Sequence, residues 1–277
     1  MQYKLIIRCY YVAPLIKKIL SPFTVAFSAT IGNKEIFGFE TGIWERRKRP
    51  AFLSLPSLFP VDNTRVYLPT DTPNLAEEAR RSGDLPKVLR QIAKACKRLA
   101  QKGYRSLVVT ISNAEREKFL TIAAEENLDV ISYGNGITPK QAALVFRDEN
   151  KGDVLVGTAA NYAEGLDLPK QTAPVIFFLR PGYPNPDEPG TIFEERRWGS
   201  QRWALWNWRV MQQVLQVRGR NVRSRSDVGV CFFISQQFRR ILFAALPDWL
   251  KKAYRRDMTL KECLEDAETP LNCYYEK

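Results

Sequence analysis

The chain contains no histidine. That excludes a Ser-His-Asp triad, histidine acid–base chemistry and any histidine-ligated metal site. Cysteine is scarce and scattered: Cys9, Cys96, Cys231, Cys263 and Cys273 are the five in 277 residues. None stands in a C-x-x-C pair, so neither a zinc-ribbon nor an iron–sulfur spacing is present and no metal ligand is expected. Cys96 and Cys231 fall inside apolar patterns and are expected to be buried and reduced, as thiols are in a cytosolic protein. No Gly-Lys pair occurs anywhere, so the phosphate loop G-x-x-x-x-G-K-[ST] is missing. Apolar runs fall far short of the roughly 20 residues of a membrane-spanning helix, and neither a signal peptide nor a membrane partner is expected. Internal repeats and low-complexity segments are absent as well.

What is present is enough to fold. Apolar residues make up 45% of the chain, which allows a sizeable core in one large or two small domains. The net charge of +12 favours an anionic partner. Nucleic acid ranks ahead of a membrane surface, because no basic amphipathic helix stands out.

Strand and helix patterns alternate along the chain, which predicts an α/β fold with a mostly parallel sheet covered by helices on both faces. Residues 4–12 and 23–28 read as strands, with a short helix over 14–20 between them. Residues 54–75 are rich in proline and read as a connection with short β segments, among them Thr64 to Leu68. Leu85, Val88, Leu89, Ile92, Cys96 and Leu99 follow helical spacing over 84–102, stopped by Gly103. Strands are predicted at 105–111, 129–132, 153–156, 173–179 and 228–234, and helices at 114–126, 194–217 and 236–256, the last broken near Pro247. Thr138, Pro139 and Gln141 form the start signal of a helix reaching Asp148. Residues 257–277 are expected to add a short helix carrying Leu260, Cys263 and Leu264. Trp203 and Trp206 lie on an apolar stripe with Val210, Val214 and Val217 and read as core. Trp208, off that stripe beside Arg209, is the candidate for stacking on a base. The run Arg46-Arg47-Lys48-Arg49 reads as a solvated loop or as a contact to backbone phosphates.

Two stretches carry the chemistry. The first is Gln216-Val217-Arg218-Gly219-Arg220-Asn221-Val222-Arg223, which spells Q-x-x-G-R-x-x-R and runs on to Ser224, Asp227 and Gly229. Two arginines three apart behind a glycine can aim at one target, and arginine forks onto phosphate oxygens. The second is Gly157-Thr158-Ala159-Ala160-Asn161-Tyr162-Ala163-Glu164-Gly165-Leu166-Asp167, a loop that follows a buried strand. Such a strand end suits phosphate or nucleotide handling in an α/β sheet. Ser112 and Asn113, at the end of another buried strand, suit contacts to a nucleic-acid backbone, or one of them caps the next helix; both readings stand.

In this order the two stretches resemble motifs V and VI of superfamily 2 helicases of the XPD/DinG-like branch. Motif V there contains E-G-x-D, and motif VI reads Q-x-x-G-R-x-x-R-S-x-x-D-x-G. Ser28-Ala29-Thr30 looks like motif III, and the resemblance covers roughly residues 10–245. It implies the second, C-terminal RecA-like domain of a DNA helicase. Residues 1–35 would hold the motif III strand and its lead-in as a remnant of the first RecA-like domain, 36–246 the second domain, and 247–277 a helical extension.

By the same resemblance, Arg223 is the arginine finger on the γ-phosphate. Arg220 is a second one that also holds the site together, and Gln216 lies near the nucleotide. Glu164, Gly165, Asp167 and Gly219 complete the nucleotide side. Ser112, Asn113, Gly157, Thr158, Asn161 and Tyr162 form the nucleic-acid side. ATP and Mg²⁺ are implied only together with a Walker-motif domain, in cis or in trans, since this chain carries neither that loop nor the usual acidic motif. The chain alone is therefore expected to be inactive. The implied polymer is single-stranded DNA, traversed 5′→3′, and the implied location is cytoplasmic, nucleoid-associated in a bacterium or nuclear in a eukaryote. The alternative is a free-standing module with a helicase fold that binds nucleic acid without ATP.

Overall fold

The computed structural model describes residues 9–21, 23–28, 30–45, 50–55, 60–77, 83–163, 168, 172–222 and 224–275. Contacts group the chain into two units, Met1–Leu55 with Tyr183–Gln212, and Pro56–Gly182 with Gln213–Lys277.

The second unit is built on a sheet. Its strands are β1 (Thr64–Tyr67), β2 (Ser106–Thr110), β3 (Val130–Ile131), β4 (Val154–Thr158), β5 (Val175–Phe178), β6 (Gly229–Phe233) and β7 (Tyr254–Arg255). They lie in the order β3-β4-β2-β5-β6-β1-β7, and every neighbouring pair is parallel. All residues of β2, β4, β5 and β6 are buried, as strands covered on both faces must be. On one face, Tyr67, Phe232 and Phe177 sit opposite one another on β1, β6 and β5. Their rings stack with centroids 4.8 Å apart at each step. On the other face Phe178 and Phe233 pack against Phe238.

Helix α3 (Asp84–Ala100) buries the apolar stripe read from its spacing, and Gly103 takes φ +82° just past its end. Helix α4 (Asn113–Glu125) packs beside it, through Phe119 and Ile122, in the same core cluster. Helix α5 (Pro139–Asp148) starts as its signal predicts: Thr138 Oγ accepts from Gln141 N at 3.2 Å, while Thr138 N donates to Gln141 Oε1 at 2.8 Å. A short helix α6 (Ala159–Tyr162) follows β4. The last helix, α11 (Leu260–Tyr275), is longer than expected and seals the core with Leu260, Cys263, Leu264, Ala267 and Leu271. Among the described residues no helix is long and apolar enough to cross a membrane.

Four expectations are corrected. The segment 54–75 is more than a connection, because β1 lies inside the sheet with Val66 and Tyr67 fully buried. The helix expected at 194–217 is two helices, α7 (Pro189–Trp198) and α8 (Arg202–Arg218), separated by a 3₁₀ turn at Gly199–Gln201, where Gly199 has φ +52°. Residues 236–256 form a 3₁₀ turn (Gln236–Arg240), two one-turn helices, α9 (Leu242–Ala245) and α10 (Asp248–Lys251), and then β7. Pro247 cannot continue the first helix, and Val66 N claims the Ala253 carbonyl for the sheet at 3.0 Å. Residues 9–12 and 23–28 carry no strand, and the rest of the expected strand at 4–12 lies outside the described residues.

The first unit is helical. Helix α1 (Ala13–Ile19) is followed by α2 (Lys34–Thr41), which Asn33 caps by accepting from Glu35 N and Ile36 N at 2.9 and 3.0 Å. α7 and the first turns of α8 complete it. Glu40 is its electrostatic hub: the carboxylate meets Arg197 at 2.6 Å, Arg209 at 3.4 Å and Trp198 Nε1 at 3.1 Å.

Candidate functional site

β2 and β4 are adjacent and in register, with Thr110 opposite Thr158. The loops that leave them therefore start at one edge of the sheet. Ser112 caps α4 there. Its hydroxyl accepts from Glu115 N at 3.2 Å, and Glu115 Oε2 takes the N–H groups of Ile111 and Ser112 at 2.9 and 3.0 Å. The other carboxylate oxygen of Glu115 pairs with Arg180 Nε at 2.6 Å, and both side chains are nearly buried. The cap reading of Ser112 is thus realised. Asn113 is exposed, and its Oδ1 faces the Tyr133 hydroxyl at 3.1 Å.

Tyr133 joins this loop to the next one. Its hydroxyl lies 3.2 Å from Thr158 Oγ1 and accepts from Thr158 N at 3.3 Å. Asn161 Nδ2 donates to the same Thr158 oxygen at 3.1 Å. The Tyr133 ring meets Tyr162 edge-on, and the Arg116 guanidinium lies 4.1 Å from its centre on the ring face. Gly157 makes room for this packing: a Cβ there would stand 2.2 Å from Tyr162 Cε2. Tyr162 is itself a correction. It was expected on the nucleic-acid side, but it is buried, its hydroxyl donates to the Pro139 carbonyl at 3.2 Å, and burial pushes its phenol pKa up. Gly157 and Thr158 are buried too, while Asn161 and Asn113 keep open faces.

The second stretch begins at the end of α8. Gln216 lies in its last turn, and Gly219 N closes the helix on the Leu215 carbonyl at 3.0 Å. Arg220 folds back so that Nε donates to the Gln216 carbonyl at 3.1 Å, and its terminal nitrogen donates to the Ala163 carbonyl. Ala163 directly precedes Glu164, so this bond ties the two stretches together across 57 positions of sequence. Glu164, Gly165, Asp167 and Arg223 lie outside the described residues, as do Ala29 and Arg46 to Arg49. The residues around Arg223 are pinned. Buried Asn221 donates to the Pro174 and Val230 carbonyls at 2.8 and 3.3 Å. Ser224 donates through N and Oγ to the Asp227 carboxylate at 2.7 and 2.8 Å. Gly229 is required, since a Cβ there would meet Asn221 Oδ1 at 2.5 Å.

Arg218 points elsewhere. It is buried, it donates to Thr64 Oγ1 at 3.2 Å and it lies over Trp249, with no carboxylate in reach among the described residues. Burial draws its pKa down. Trp208 is half-buried, and its indole N–H donates to the Ile31 carbonyl at 3.0 Å, beside Gln212 on the same oxygen in the helical unit. The sequence reading missed Tyr133, which no pattern marks. It also missed the Glu115–Arg180 pair, although Ser-x-x-Glu before a helix is a capping-box signal.

Among the described residues no group of three Cys, Asp or Glu side chains is placed to hold a metal ion. Arg220 is half-buried and is held beside the strand-end loop by its bond to the Ala163 carbonyl.

The fold and sequence have known counterparts. The helicase C-terminal domain model matches residues 87–253. An XPD helicase structure superposes with a TM-score of 0.58 at 15% identity, covering 86% of this chain and 41% of that one. A variant of S. cerevisiae Dbp5 bound to RNA and ADP BeF3 superposes with 0.53 at 17% identity, covering 92% and 57%. For S. tokodaii Xpd4 the values are 0.48 and 15%, with 69% and 38% covered. At these identities the XPD helicase and Dbp5 superpositions speak for the fold alone, which is RecA-like, and this chain spans only about half of the length of the structures it matches. No curated protein matches the sequence. With 167 of its 277 residues inside the matched region, the chain belongs to the helicase C-terminal domain family.

Proposed function

We propose that the chain acts as the second RecA-like domain of an ATP-dependent DNA helicase of the XPD/DinG-like branch, moving 5′→3′ on single-stranded DNA. The observation that carries this reading is the Arg220 bond to the Ala163 carbonyl, which brings the arginine stretch to the strand-end loop. ATP, when bound between this domain and a Walker-motif domain, supplies the phosphoanhydride whose cleavage drives the motor. Arg223 donates to phosphate oxygens as negative charge spreads over them. Arg220 orients the loop that leads into Glu164, Gly165 and Asp167, and it adds positive charge. Gln216 and Gly219 shape the end of α8 beneath it. Asn113 and Asn161 offer amides to the nucleic-acid backbone, where contacts fix position and carry little sequence preference.

A second observation supports the need for a complementary domain. Phe23, Val25 and Phe27 are 96%, 91% and 95% exposed. Three large apolar side chains so close in sequence and so fully open are a surface suited to a partner. The Walker-motif domain, in cis or in trans, is the occupant proposed.

The test joins or mixes this chain with such a domain and measures strand-stimulated ATP hydrolysis. Arg223→Ala is expected to lower turnover by about 10³ to 10⁵ while leaving strand binding nearly unchanged. If Arg223→Ala leaves turnover intact, the arginine-finger role falls; if strand binding occurs with no ATPase under any pairing, the ATP-independent module replaces this reading.

A further inference from the structure

The helical unit holds a cleft that the motifs do not use. It has a volume of about 270 Å³ and is lined by Tyr183, Pro184, Pro186, Glu195, Arg202, Trp203 and Trp206. Pockets that take a whole small ligand run from roughly 300 to 1,000 Å³. This one suits a single ring system, such as one unit of a polymer. Trp203, assigned to the core by its spacing, is 52% exposed here. Trp206 forms the buried side, its indole N–H donating to Glu194 Oε2 at 3.2 Å.

Ring geometry selects the shape of the guest. Trp203 meets Trp206 at 81° with centroids 5.0 Å apart, and Tyr183 meets Trp203 at 75° and 6.0 Å. Rings set at right angles make a corner. A flat guest can stack face-on against one of them and meet the edge of the next. A rod-shaped polyproline segment is served less well by such a corner, because it docks along grooves between aromatic ridges.

Charge selects further. The carboxylates near the cleft are engaged: Glu195 pairs with Arg202 at 3.1 Å, and Glu194 pairs with Arg209 at 2.6 Å. A cationic guest would find its counter-charges taken. The chain as a whole carries +12. An anionic strand bearing flat bases fits both conditions.

We propose that this cleft is a base-stacking subsite for single-stranded nucleic acid, with the open Trp203 face as the platform. It lies outside the motif residues and rests on the nucleic-acid reading above. Every base has a π-face, so the subsite tolerates any sequence.

The experiment uses the full 277-residue chain. Fluorescein-labelled oligo-dT and an abasic oligomer of the same backbone are titrated against wild type, Trp203→Ala and Trp203→Phe. Trp203→Ala is expected to weaken oligo-dT binding about tenfold and to leave abasic binding unchanged, with Trp203→Phe restoring most of the loss. Oligo-dT should quench wild-type tryptophan emission more than the abasic oligomer does. If Trp203→Ala fails to fold, that quenching difference decides the matter in the wild type, and equal quenching overturns the proposal. Unchanged oligo-dT binding by a folded Trp203→Ala also overturns it, while leaving nucleic-acid binding in place. If the wild type binds neither oligomer at low salt, the nucleic-acid reading falls and the subsite with it. A proline-rich peptide that binds through Trp203 where oligo-dT does not would replace the base with a peptide.

Discussion

Ser112 had two possible jobs, and its geometry gives it one of them. The hydroxyl is occupied by Glu115 N, and Glu115 is held by the buried pair with Arg180. Losing a cap of this kind costs about 1 kcal/mol. Ser112→Ala is therefore expected to lower stability by that amount in a urea titration and to leave oligonucleotide affinity unchanged. A clear loss of affinity with unchanged stability would return Ser112 to the nucleic-acid side. Arg220 shows the same economy of side-chain atoms: one nitrogen bonds the carbonyl of its own helix end and another bonds the loop 57 positions away. Arg218, two residues earlier, faces into the protein toward Thr64 and Trp249. Neighbouring arginines of one motif thus serve different ends because successive residues leave the end of a helix in different directions.

At the scale of elements, β4 and the short helix after it depend on one missing side chain. Gly157 lies in the strand, and the rings of Tyr162 and Tyr133 occupy the space its Cβ would need. Gly157→Ala should force those rings aside and destabilise the fold by about 1–3 kcal/mol, the usual cost of overpacking. Calorimetry checks this, and an unchanged melting temperature would mean that the loop relaxes freely. α7 and α8 illustrate the converse, where a glycine interrupts. Gly199 takes a backbone conformation closed to other residues, and the helix predicted to be continuous turns there. That break lies beside Arg202 and Trp203, two residues that line the aromatic cleft.

At the scale of the whole molecule, the parallel sheet buries its central strands on both faces, and three thiols go down with them. Burial pushes Cys96, Cys231 and Cys263 up from an ordinary value near 9 to about 12. The folded state therefore keeps these protons after the unfolded chain has begun to lose them. Their contribution to stability is complete below about pH 9 and falls as pH rises toward 12. The same protonation makes them poor nucleophiles. Iodoacetamide at about pH 8 is expected to label exposed Cys9 and to spare these three until denaturant is added. Mass spectrometry of the native labelled chain checks this, and early labelling of Cys96 would mean that the core opens locally.

The amino-acid order alone determined much of this protein. Short continuous apolar runs and period-3.6 patterns, with capping residues at Thr138 and a stop at Gly103, define most of the strands and helices, because those signals act within a few residues. The Q-x-x-G-R-x-x-R and E-G-x-D spacings marked the helicase resemblance for the same reason. The tertiary structure decided what depends on residues far apart. It moved Thr64–Tyr67 from a connection into the sheet, because β6 and β7 supply its hydrogen-bond partners from more than 160 positions away. It turned Tyr162 inward, tied Trp208 to Ile31 and opened Trp203. Whether an aromatic on a helix is core or surface depends on what packs against it, and helical spacing records only which residues share a face.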